Sequence, residues 1–145
     1  VSILSRDKVK LNVQVKDKYE AIRVVGQMLV DAGHVPAEYI GKMIEREDSL
    51  STYLGGGLAI PHGTNDARSL IRSTGMSIAI VPDGIDFGEG EPAYLIIGIA
   101  AAGDDHLEIL THVAELVSDD DTLETILHTA DKDELLRIFE QGMEA

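Results

Sequence analysis

The chain has 145 residues, 12 Lys and Arg against 26 Asp and Glu, and a formal net charge of −14, a surplus of acid that repels phosphate backbones and argues against a nucleic-acid binder. With 44% hydrophobic residues it is too apolar for a disordered acidic segment, and a single domain spanning residues 1–145 is expected. It has no cysteine, which removes disulfides, thiolate zinc sites and thiol catalysis, and no run approaches the ~18 apolar residues of a membrane span.

Val1 to Arg6 is too short and mixed for a signal peptide, so a cytoplasmic location without membrane insertion is expected. Val9, Leu11, Val13 and Val15 alternate with polar residues and predict a half-exposed strand. Asp17 with Glu20 forms a capping box that opens a helix, and Gly33 is placed to stop it. Pro36 suits the first position of a second helix, whose apolar stripe is Tyr39, Ile40, Met43 and Ile44 and which ends near Arg46-Glu47. Gly55-Gly56-Gly57 then leads into Leu58-Ala59-Ile60, and Pro61-His62-Gly63 ends that run. Met76 to Val81 reads as a buried strand, turned by Pro82-Asp83-Gly84 into a short strand Ile85 to Phe87. The nearly continuous apolar segment Tyr94 to Ala101 predicts a central strand covered on both faces. Asp105 with Glu108 caps a further helix, and two more follow around Thr122 to Thr129 and Glu134 to Gln141, the last with Asp131 at its cap. This order predicts an α/β fold, a three-layer α/β/α sandwich.

Of the five histidines, His34, His112 and His128 read as structural residues. His106 and His112 are about 240° apart around a helix and share no metal-binding face. Asp119-Asp120-Asp121 lacks the alternating ligands and mid-loop glycine of a calcium loop and reads as a solvated cap. The triple glycine is followed by no Gly-Lys-Ser/Thr, so no nucleotide site is expected. His62 has two readings. It is either a turn histidine beside an edge strand, or a nucleophile held rigidly between Pro61 and Gly63 as a phosphoryl acceptor must be. His106, at the start of a helix that follows the longest apolar strand, stands where anions gather in open α/β sheets. Glu47 reads as a surface or helix-end charge.

Tyr53 to Thr64, read as Tyr-Leu-Gly-Gly-Gly-Leu-Ala-Ile-Pro-His-Gly-Thr, resembles the active-site signature of the mannitol/fructose-type enzyme IIA domain of the bacterial sugar phosphotransferase system. Arg46-Glu47 is similar to that family's Arg-Glu pair, and Ile97 to Ala101 followed by Asp105-His106-Leu107 is similar to its second-histidine segment. Gly63-Thr64 and Tyr53-Leu54-Gly55 lean to the mannitol branch, while Gly56-Gly57 departs from the more polar residues expected there. The resemblance implies an α/β/α sandwich around a mixed sheet. It implies that His62 accepts a phosphoryl group on Nε2 from the histidine-containing phosphocarrier protein and passes it to a IIB domain, with His106 and Arg46 assisting. Neither cofactor nor metal is implied. A regulatory IIA module, in which His62 phosphorylation is a signal, is the alternative.

Overall fold

The computed structural model describes residues 3–102 and 105–143. A 3-10 turn (Arg6–Lys8) leads into β1 (Val9–Lys10), followed by α1 (Lys18–Asp31) and α2 (Glu38–Ser49). Next come β2 (Tyr53–Gly55), β3 (Leu58–Ala59), a 3-10 helix (Asn65–Leu70), β4 (Gly75–Asp86) and β5 (Pro92–Ala100). The chain closes with α3 (Asp105–Ser118), α4 (Asp120–His128) and α5 (Lys132–Met143). None of the described helices is long and apolar enough to cross a membrane.

The five strands form one mixed sheet in the order β1-β4-β5-β3-β2. The pairs β1/β4 and β3/β5 are parallel, whereas β4/β5 and β2/β3 are antiparallel. Side chains along β4 and β5 alternate between two cores, as the pleat requires. Ala79, Val81, Ala93, Ile96 and Ala100 pack with α1 and α2. Met76, Ile78, Ile80, Leu95, Ile97 and Ile99 pack with Ile109, Val113, Ile126, Leu135 and Phe139 from the three C-terminal helices. Both faces are therefore covered, and the expected three-layer α/β/α sandwich is what forms. Close approach of α1 depends on Gly98, where an added Cβ would lie 2.7 Å from Ser77 Oγ and 2.8 Å from Val25 Cβ.

Local signals set the helix ends. The Asp17 carboxylate accepts the Glu20 N–H at 2.9 Å, and the Glu20 carboxylate accepts the Lys16 N–H at 3.2 Å. Gly33, at φ 83°, supplies the left-handed residue that ends α1. The second helix begins at Glu38 rather than Pro36, because Pro36 and Ala37 form a tight turn whose carbonyls accept from Tyr39 and Ile40. Asp119 caps α4 by accepting from the Asp121 and Thr122 N–H groups, as its solvated-cap reading required. The expected cap Asp105 has its side chain outside the described residues.

Two strand expectations are corrected. The strand expected over Val9 to Val15 is only Val9–Lys10, paired with Ile78 and Ala79, because Asn12 at φ 54° turns the backbone out of the extended region. Pro82-Asp83-Gly84 does not turn the chain into a separate strand. It is an irregularity within one long β4, where Ile80 faces Leu95 and Ile85 faces Ala93. Proline is tolerated there because surplus residues leave the ladder and owe it no N–H.

Candidate functional site

His62 stands just past β3, where Pro61 carries the chain along β5. The Ile99 N–H donates to Pro61 O at 2.9 Å, and His62 pairs with Ile99 in a parallel bridge. The histidine therefore extends the line of β3 at the carboxyl end of the sheet's central strand. Its ring is half-buried, and Nδ1 lies 2.8 Å from Ile60 O. A carbonyl can only accept, so Nδ1 carries the proton of the neutral ring and Nε2 carries the in-plane lone pair.

Gly63 has a buried N–H that donates to the Tyr39 hydroxyl at 2.9 Å, and that hydroxyl donates to Ile99 O at 3.1 Å. The ring lies so close that a Cβ on Gly63 would stand 2.6 Å from Tyr39 Cε1. Burial pushes the Tyr39 phenol above its ordinary value, so it stays protonated and able to donate. Beside His62 is a cleft of about 50 Å³, lined also by Tyr39, Thr64, Asn65, Arg68 and Ala101.

Of the other expected site residues, Arg46 lies in the last turn of α2, and its Nη1 donates to Leu50 O. It is absent from the lining of the cleft at His62. His106 falls in the first turn of α3, directly after the strand that flanks His62, and its side chain lies outside the described residues. Glu47 does lie in the last turn of α2, but the surface half of its reading is corrected. It is 2% exposed rather than a surface charge. One carboxylate oxygen accepts from the Thr52 N–H at 2.8 Å and the Thr52 hydroxyl at 2.7 Å, and the other meets Lys18 Nζ at 3.2 Å. Tied down in this way, Glu47 anchors the loop that leads to β2.

The remaining histidines sit in other surroundings. His112 Nε2 lies 2.8 Å from Phe139 O, and His128 pairs with Glu124 at 3.1 Å on the surface. His34 is fully buried, with Nδ1 2.9 Å from Ser73 Oγ and Nε2 2.7 Å from Lys8 Nζ. Burial, then the neighbouring ammonium, lowers the His34 pKa, and burial lowers that of Lys8 to about 8. Thr64 belongs to the quoted signature, whereas Asn65 and Arg68 are cleft residues that the sequence does not single out, and Tyr39 reads only as part of an apolar stripe. Tyr39 had one usable signal, since a tyrosine in a buried stripe must find a partner for its hydroxyl.

Over residues 2–142 the chain matches the family described as phosphoenolpyruvate-dependent sugar phosphotransferase system, EIIA 2. It is 45% identical over 139 residues to the mannitol-specific phosphotransferase enzyme IIA component of Geobacillus stearothermophilus, a match covering 96% of each chain. The crystal structure of IIA mannitol from Escherichia coli is similar with a TM-score of 0.87 and 37% identity, over 94% of this chain and 98% of that one. The complex of enzyme IIAMTL and phosphorylated enzyme IIBMTL from E. coli holds a chain similar at a TM-score of 0.90 and 35% identity, over 95% of this chain and 97% of that one. With its fold and nearly its full length thus matched, this chain belongs to the EIIA 2 family of the phosphoenolpyruvate-dependent sugar phosphotransferase system.

Proposed function

We propose that this domain takes a phosphoryl group from the histidine-containing phosphocarrier protein onto His62 Nε2 and hands it to a IIB domain, at the cytoplasmic side of mannitol uptake. The likeness to mannitol-specific IIA components supports the sugar, and the complex of such a component with a phosphorylated IIB supports the partner. The observation that carries the site is the 2.8 Å contact from His62 Nδ1 to Ile60 O, which selects the tautomer with its lone pair on Nε2. In the transfer, the donor's N–P bond breaks as Nε2–P forms in line, and the electron pair returns to the donor nitrogen. The Nδ1 proton stays in place, and Ile60 O stabilises the positive charge that the phosphorylated ring acquires. Both nitrogens are histidine-type, so little free energy separates donor from acceptor, and catalysis is alignment plus charge stabilisation. Arg46 and His106 supply donors to the phosphoryl oxygens, the guanidinium having further N–H groups besides the one on Leu50 O.

The regulatory reading is not favoured, because the full-length resemblance is to mannitol-specific transport components. Incubation with phosphoenolpyruvate, enzyme I and the phosphocarrier, followed by intact mass, tests the site. One added phosphoryl group is expected. It should be lost in His62→Ala and kept in His112→Ala and His128→Ala. Full labelling of the His62 variant would assign the acceptor elsewhere.

A further inference from the structure

We propose that Tyr39 is a positioning residue for phosphoryl transfer, its buried hydroxyl pinning α2 to the backbone on both sides of His62; this rests on His62 as the acceptor. The hydroxyl makes two hydrogen bonds across elements far apart in sequence, accepting from Gly63 N at 2.9 Å and donating to Ile99 O at 3.1 Å. Gly63 follows His62 directly, and Ile99 is the residue of β5 with which His62 pairs. The histidine is thus held through its chain neighbour and through its strand partner by a single oxygen. Tyr39 is only 3% exposed, so both bonds form away from competing water.

The same oxygen indexes a second group. Arg46 is seven residues beyond Tyr39 on α2, which is nearly two full turns and about 10 Å along the axis, so the two project from nearly the same side. Fixing Tyr39 to the His62 loop therefore fixes the height and rotation from which Arg46 reaches towards the phosphoryl group. The absence of a side chain on Gly63 belongs to the same device. A Cβ there would meet the Tyr39 ring at 2.6 Å and its hydroxyl at 3.0 Å, pushing the phenol off both partners. Misplacement of reacting groups by about 1 Å costs on the order of 100-fold in rate, and this pin prevents such drift.

The test is single-turnover transfer from the phosphorylated phosphocarrier. Tyr39→Phe keeps the ring and removes the hydroxyl. It should lower the maximal rate roughly 10- to 100-fold while the carrier concentration for half-maximal rate stays within about twofold, and labelling should still reach one phosphoryl group per chain. Gly63→Ala, which displaces the phenol without touching Arg46 or Tyr39 chemically, should give the same split, and a native maximal rate in it overturns the role if Tyr39→Phe does not fold. Tyr39→Phe combined with Arg46→Lys should be little slower than the slower single variant, because the first change has already misplaced the second group. A native maximal rate in folded Tyr39→Phe, or a loss confined to carrier affinity, overturns the positioning role. His62→Ala separates the two readings. If it is silent while Tyr39→Phe is native, only the Tyr39 inference fails; if it labels fully, the acceptor assignment fails first.

Discussion

Lys8 and His34 place an ammonium 2.7 Å from an imidazole nitrogen in a site that water scarcely reaches. The arrangement holds only while the ring is neutral, with Nε2 accepting from Lys8 and Nδ1–H donating to Ser73. A second proton would set two cations side by side in the core. Because the His34 pKa is lowered on folding, the unfolded chain binds a proton first as pH falls below the ordinary value of 6.5. Its contribution is therefore complete above pH 6.5 and is lost on acidification from there down to the folded value. For Lys8 the unfolded chain holds a proton between about 8 and 10.5 that the folded chain releases, so this group makes stability rise with pH across that window. Urea melts of the native protein and of His34→Gln between pH 5 and 7 test the acid limb. The native protein should lose stability more steeply, and parallel slopes would refute the account. Only part of this was readable in the residues. His34 reads as a structural residue and is buried, yet neither Lys8 nor Ser73 lies near it in the chain. The burial of Glu47 at its helix end is hidden in the sequence for the same reason, since it depends on Lys18 and on the fold of the loop that carries Thr52. His62 stands out in the sequence because Pro61 and Gly63 constrain it locally.

The second helix presents Tyr39, Met43 and Glu47 inwards at a spacing of four, while Arg46 at its end caps Leu50. That half-buried arginine is the group whose replacement is most informative. Arg46→Lys keeps the charge and loses the planar two-donor fork, so transfer should slow by roughly 10- to 100-fold. His106→Ala should slow it by roughly 10²- to 10³-fold, the scale of a lost preorganised donor. Stopped-flow transfer to a IIB domain measures both, and a native rate in either variant reduces that residue to a structural role. Helices were the readable elements, since caps such as Asp17, Gly33 and Asp119 act within a turn of their position. Strands were less so. Alternation from Val9 to Val15 carried no hint that Asn12 would leave the extended region. Nor did Pro82-Asp83-Gly84 reveal that β5 would run alongside and absorb it as an irregularity.

At the scale of the whole molecule, the three-layer arrangement followed from element order, whereas strand order required the third dimension. Two faces of one sheet are served by separate stretches of chain, α1 and α2 on one side and α3 to α5 on the other. The sheet's middle joins strands that are neighbours in the chain, as the short β2–β3 hairpin at the edge also does. β4 and β5 are joined by a short connection and pair antiparallel, while β1 and β3 reach the sheet only by parallel crossovers that enclose long stretches of chain. Closing those loops costs entropy that only later contacts offset. These loop lengths predict assembly outwards from β4 and β5, with the seat of His62, which needs β3 laid beside β5, completed late. Conservative truncations in the β4–β5 pair, such as Ile97→Val, should mainly slow refolding, and Val9→Ala in β1 should mainly hasten unfolding. The reverse pattern in stopped-flow chevrons would reject this order. On that order, a nascent chain would acquire its hydrophobic centre well before the backbone around His62 is in place.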